Sequence, residues 1–218
     1  MRKQFDKALG EMSDSLVKMA ALSEEAIEKA MQALVNQDEE LAKKVISGDS
    51  EVDIYEKEIE QKALSIIIRF QPVAADLRSV TTALKMVADV ERIADQAADI
   101  CSIALKMIGQ NYCKKIEHIP AMAKRATKMV NESVRSFINQ DILLAKEVMK
   151  SDDAVDNMFA EIRDELIAYL KKQPEYAEQI IYFMMIAKYI ERIGDHAVNI
   201  AEWTVFDVTG IHKNSRII

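Results

Sequence analysis

The sequence predicts an all-α protein built as two tandem, pseudo-symmetric three-helix bundles, six long antiparallel helices in all. Three observations carry this expectation. Only 5 Gly and 3 Pro stand in 218 residues, and Ala, Leu, Ile, Met, Glu and Lys dominate the remainder, so there are few places for a helix to break. Apolar residues recur at helical intervals: Phe5, Leu9, Met12, Leu16 and Met19 step by 4, 3, 4 and 3, which is one seam of a bundle. The third observation is an internal repeat. Asn36-Gln37-Asp38 recurs as Asn139-Gln140-Asp141, Leu41-Ala42 as Leu144-Ala145, Asp49 as Asp152 and Val52-Asp53 as Val155-Asp156, all at an offset of 103. Gln71-Pro72 returns as Gln173-Pro174 at 102, and Glu91-Arg92-Ile93-x-Asp95 as Glu191-Arg192-Ile193-x-Asp195 at 100. A match kept over so much of each half is a duplicated structural unit.

The elements follow in order from the breaks. The first helix carries the Phe5 to Met19 seam and ends near Asn36-Gln37. The second starts on Asp38, a side chain suited to cap a helix, and ends near Gln71-Pro72, where the third begins. The third gives way between Gly109 and Pro120, and Pro120 suits the first turn of the fourth. Asn139-Gln140 ends the fourth, Asp141 caps the fifth, and Gln173-Pro174 divides the fifth from the sixth. Helices of roughly 25 to 35 residues result, with no sheet. Loops this short make neighbouring helices antiparallel, so residues 1–112 and 113–218 each form an up-down-up unit. The 12 Met residues fill irregular gaps in the cores.

Composition excludes several classes. Half of the residues are hydrophobic, enough to bury a core. Met1-Arg2-Lys3-Gln4-Phe5-Asp6-Lys7 has no apolar run behind its basic residues, unlike a secretory leader, which places the protein in the cytoplasm. The longest apolar run, from Ile180 to Ala187, is eight residues, against about 20 needed to span a bilayer, so any membrane contact is peripheral. A net charge of −7, with 6% aromatic residues and no basic stripe, lacks the electrostatic footprint of nucleic-acid binding. Cys101 and Cys113 stand in no metal or redox spacing and read as buried or idle thiols.

The charged residues are more informative. Glu91, Asp95 and Asp99 fall at i, i+4 and i+8, one stripe on a helix, and Glu191, Asp195 and Asn199 repeat it. Like charges at i, i+4 cost a helix about 0.2 to 0.5 kcal/mol, which a bound cation would remove. Asp49 and Asp53 form a second i, i+4 pair on the preceding helix, and Asp152 and Asp156 repeat that too. In an antiparallel hairpin, residues equidistant from the turn lie level. Asp53 with Glu91, and Asp49 with Asp95, share a midpoint at Pro72; Asp156 with Glu191, and Asp152 with Asp195, share one between Gln173 and Pro174. Each midpoint is the predicted turn, so the rows agree in height. Carboxylates without Cys, and without His on the stripe, are hard ligands that suit Mg²⁺, Mn²⁺, Ca²⁺ or iron better than a thiolate zinc site. His196 points about 100° away from Asp195 around the helix and reads as a packing or solvent-facing residue. His118 and His212 fall in loop or tail positions.

Pro72-Val73-Ala74-Ala75-Asp76-Leu77-Arg78, Glu91-Arg92-Ile93-Ala94-Asp95 and Glu191-Arg192-Ile193-Gly194-Asp195-His196-Ala197-Val198-Asn199-Ile200 resemble the PhoU family, over nearly the whole chain. The resemblance implies two tandem three-helix bundles whose E/D-x-x-x-D motifs bind multinuclear metal clusters, often of iron or zinc. Carried onto this chain, the metal residues would be Asp49, Asp53, Glu91, Asp95 and Asp99, with Asp152, Asp156, Glu191, Asp195 and Asn199 in the second copy. It further implies a cytoplasmic, commonly dimeric negative regulator of the phosphate-starvation response, coupling a phosphate ABC transporter and its ATPase to a sensor histidine kinase. Three departures stand out. Ala94 replaces the family's usual Gly, and Asp99 stands where the second copy has Asn199, so the two sites differ in charge. The Asp76-Leu77-Arg78 triplet has no counterpart in the second copy, where Glu178-Gln179-Ile180 stands; Asp76 and Arg78 are first-turn polarity and surface charge, or a partner-binding pair.

No enzyme class finds its residues. A di-metal carboxylate oxidase in a helical bundle needs Glu-x-x-His, which the sequence lacks. No Ser or Cys lies in a motif beside a His, and Gly-rich phosphate loops are absent. A purely structural scaffold with unoccupied acidic faces remains the alternative to a regulator.

Overall fold

The computed structural model describes residues 2–114, 116–212 and 215–216. Six α-helices stand among the described residues: α1 (Arg2–Asn36), α2 (Glu39–Phe70), α3 (Ala74–Leu105), α4 (His118–Ile138), α5 (Ile142–Lys172) and α6 (Ala177–Thr209). Asp38 caps α2, accepting from the Leu41 N–H, and Asp141 caps α5 through the N–H groups of Leu143 and Leu144. Gln37 and Gln140, equivalent in the repeat, both turn the chain in the left-handed conformation, at φ 52° and 51°. Their side chains hold that strained geometry in place. Gln37 donates to the Gln110 carbonyl and accepts from Gly109 N–H, while Gln140 reaches Asp207.

Three details differ from the expectation. Helix α4 has 21 residues, shorter than the rest, because it begins only at His118, after turns and bends at residues 106–110 and 113–114, with Ile119 and Pro120 in its first turn. His118 accordingly opens α4 rather than lying in a loop. A single 3₁₀ turn, Pro174–Tyr176, stands between α5 and α6. Beyond α6, Ile211–His212 (β1) pairs antiparallel with Ser215–Arg216 (β2), a minimal ribbon where none was expected; His212 stacks on Trp203 with ring centroids 4.0 Å apart.

Within each half the three helices pack pairwise, α1, α2 and α3 in one and α4, α5 and α6 in the other. The halves meet through α3 against α6 and α1 against α4. Their buried side chains join into one continuous core that includes Met12, Ile59, Met86, Ile93, Met122 and Phe183. Helix α2 buries only six residues and α5 only five, because each packs on one side alone. The outer helices therefore keep polar flanks exposed beside α3 and α6, and the carboxylate rows lie there. Cys101 is buried and Cys113 partly so, both free. No helix among the described residues is long and apolar enough to cross a membrane.

Candidate metal centre

The first cluster lies between α2 and α3. Val52, Ile59 and Ala63 of α2 and Val90, Ile93 and Ala97 of α3 are buried, and that packing turns the intervening carboxylates toward the seam between the helices. Oxygen atoms of Asp53, Glu56 and Glu91 all lie within 4.8 Å of one another. Asp49 shares a hydrogen bond with Asp95. Partial burial, with repulsion from Asp95 and Asp53, pushes Asp49 up to about 6. Glu91 rises to about 7, from burial first and then from Asp95 and Glu56. The two rows thus face each other as well as lying level.

The second cluster repeats the plan between α5 and α6 with different neighbours. Asp152 is pushed up to about 6 by burial and by Asp156 and Asp195; Asp195 is raised by burial and by Glu191. One carboxylate oxygen of Asp152 is buried and has no hydrogen-bond partner among the described residues. It sits over Gly194, where an added Cβ would come within 3.3 Å of it. Unlike its first-half counterpart, this cluster contains a cation of its own, for the Lys188 ammonium is hydrogen-bonded to Glu191.

The donor set fits a metal ion. Clustered carboxylates, an orphaned buried oxygen and an ammonium already seated on one of them are what a hard-cation site shows when built from side chains alone. The oxygen-only chemistry suits iron, manganese, magnesium or calcium, and zinc less well.

The ends of the stripes behave differently. Asn199 turns away from the α5 row and donates to Asp89 of α3 at 3.1 Å, beside His196, whose Nδ1 lies 2.8 Å from the same carboxylate. Asp99 hydrogen-bonds Tyr189 of α6 and acts on Asp49 only weakly. The Asp89–Asn199 and Asp99–Tyr189 contacts are counterparts under the repeat, so α3 and α6 cross about an approximate twofold axis. His196 is therefore neither a packing nor a solvent-facing residue but a polar link between the halves.

Asp76 and Arg78 also engage within the chain. Asp76 accepts from Arg2 at 2.5 Å. The Arg78 Nε donates to the Asp207 carbonyl at 2.7 Å, and Ser79 Oγ donates to the buried Asp207 carboxylate at 2.7 Å. Charge reversal at Arg78 would thus disturb the joint between halves before it tested any partner.

Sequence reasoning missed Glu56, Asp89, Lys188 and Asp207. Glu56 could have been found three residues after Asp53 on the same helix face. Comparison of the repeats hides it, because its counterpart is Phe159.

Comparison with known proteins agrees with this architecture. The "PhoU domain" family model matches residues 16–104 and again 119–204. A phosphate-specific transport system accessory protein PhoU homolog of Clostridium acetobutylicum is 34% identical over 210 residues, 96% of each chain. The homolog of the same name from Aquifex aeolicus is 39% identical over 85% of this chain and 84% of its own. Among solved structures, PhoU from Pseudomonas aeruginosa superposes with a TM-score of 0.91 at 30% identity, covering 95% of this chain and all of that one. The phosphate transport system regulatory protein PhoU from Streptococcus pneumoniae gives 0.89 at 26% identity, over 95% of this chain and 98% of that one. Two domain matches, relatives aligned nearly end to end and the same six-helix arrangement lead to one conclusion: the chain belongs to the PhoU family.

Proposed function

We propose that this protein is a cation-binding accessory regulator of phosphate uptake that works by contact and not by catalysis. The supporting observation is the pairing of carboxylate rows across two adjacent helices in each half, in a chain whose relatives carry the name of phosphate-specific transport accessory proteins. Asp49, Asp53, Glu91 and Asp95 would hold cations in the first half, and Asp152, Asp156, Glu191 and Asp195 in the second. A bound cation supplies positive charge that cancels the repulsion within each cluster and ties an outer helix to a central one. The protein's own part is to present long, rigid helical faces to a partner.

The partners proposed are the ATPase of a phosphate ABC transporter and a sensor histidine kinase, met in the cytoplasm by a homodimer, with repression of phosphate-starvation genes as the output. Deleting the gene should switch those genes on in phosphate-rich medium, and purified protein should bind the ATPase or the kinase in a pull-down. Normal repression in the deletion strain would overturn the regulatory reading and favour a structural scaffold. Elemental analysis of the purified protein tests the cation separately.

A further inference from the structure

We infer that the two carboxylate clusters are unequal: the α2–α3 cluster is the principal cation site of this chain and takes Glu56 as an additional ligand, whereas the α5–α6 cluster carries its own counter-ion, Lys188, which a metal ion must displace. This deepens the cation-binding reading above and rests on it.

The repeat breaks at two positions near the clusters. Glu56 in the first half corresponds to Phe159 in the second, and Ala88 corresponds to Lys188. Both lie beside the clusters. In the first half, Glu56 stands with Asp53 and Glu91 in the group whose oxygens converge within 4.8 Å. Ala88, exposed on α3, brings no charge near them. Lys57 and Arg92 are close enough to influence Glu56 and Glu91, yet neither is ion-paired with them among the described residues.

Both substitutions act in the same direction in the second half. Phe159 replaces a carboxylate with a ring that cannot ligate. The Lys188 ammonium bonds Glu191 and lies 5.5 Å above the Phe159 ring centroid. Phe159 thus holds the lysine over the cluster by cation–π attraction. Together the exchanges remove one carboxylate ligand from this cluster and seat a cation on another of its carboxylates, while Asp153, where the first half has Ser50, and Lys57, where the second has Ala160, offset each exchange in the wider charge around the clusters. Ligand count and charge set the affinity of oxygen sites for hard cations, so the α2–α3 cluster binds more tightly. The second remains a site, because Lys188 is half exposed on a flexible stem and can swing out. The buried, unpartnered oxygen of Asp152 stays behind as a donor.

The experiment uses the full chain, stripped with chelator and titrated with Mn²⁺ by equilibrium dialysis with elemental analysis, folding being checked by circular dichroism. Wild type should show a tight and a weak class of bound Mn²⁺. Glu91→Gln should abolish the tight class and Glu191→Gln the weak one. Glu56→Gln should weaken the tight class alone by about tenfold, and Lys188→Met should strengthen the weak class by about tenfold, a shift within reach of one charge a few ångströms away. Two equal classes in wild type, an unmoved weak class in Lys188→Met, or loss of the tight class in Glu191→Gln would overturn the inequality while leaving cation binding intact. A folded wild type that takes up no Mn²⁺ overturns cation binding itself.

Discussion

At the scale of single residues, the clusters store electrostatic repulsion that depends on pH. Asp49, Glu91 and Asp152 keep their protons up to about 6, 7 and 6 in the folded chain, above the ordinary carboxylate range of about 4. The folded state then binds more protons than the unfolded one between those limits, so these groups contribute stability that is fully present below about pH 4 and is lost as pH rises through 6 to 7. Chelator-treated protein should melt at a lower temperature near pH 8 than near pH 5 by differential scanning calorimetry, and Glu91→Gln should narrow the gap. Added Mn²⁺ should raise the melting temperature more at the higher pH. A melting temperature that is flat or rises between the two pH values would contradict this account. Gly194 belongs to the same scale, since Ala94 occupies its place in the first half. Gly194→Ala gains helix propensity but presses on Asp152 Oδ1 at 3.3 Å. It should therefore alter cation binding of the second cluster, read by the same dialysis, while leaving the first unchanged.

At the scale of elements, the helices depend on capping and one-sided burial. Asp38 and Asp141 satisfy free N–H groups at the starts of α2 and α5, and replacing either with Ala should cost about 1 kcal/mol in urea denaturation. Central helices are more sensitive inside. Phe183 on α6 is fully buried and meets Tyr112 edge-on at 5.3 Å, so Phe183→Ala should cost about 3 to 5 kcal/mol. The cap variants should lose no more than about 2 kcal/mol; costs that matched or reversed this order would show that the outer helices carry more of the stability than their burial implies.

At the scale of the whole molecule, the halves are joined by a shared core and by polar clasps at its margins. Asp89 binds His196 and Asn199 across α3 and α6, Asp207 takes Ser79 and Arg78, and Asn131 donates to Glu24 between α4 and α1 at 3.1 Å. Such continuity predicts one cooperative unfolding transition. Trp203, the only tryptophan, lies on α6 and reports the second half, while circular dichroism reports all six helices. The two urea curves should coincide, and separated midpoints would show the halves unfolding independently. Ser79→Ala leaves the buried Asp207 carboxylate without its hydroxyl donor and should cost about 1 to 3 kcal/mol, shifting both curves together.

The amino-acid sequence alone determined the helical class, the duplication, the capping residues Asp38 and Asp141 and the equal heights of the carboxylate rows. All of these are local or periodic properties, written in the spacing of residues along one helix or across one short turn. The facing of the rows emerges only in three dimensions, because a height carries no angle, and rotation about a helix axis is set by which side chains are buried, Val52, Ile59 and Ala63 on α2 and Val90, Ile93 and Ala97 on α3. The tertiary structure also decided that Asn199 and His196 serve the joint between halves, and that Arg78 is bound to Asp207, contacts between residues more than a hundred positions apart. Glu56 and Lys188 came to light the same way. Each breaks the repeat, so comparison of the two halves hides them, and their positions beside Glu91 and Glu191 gave them meaning.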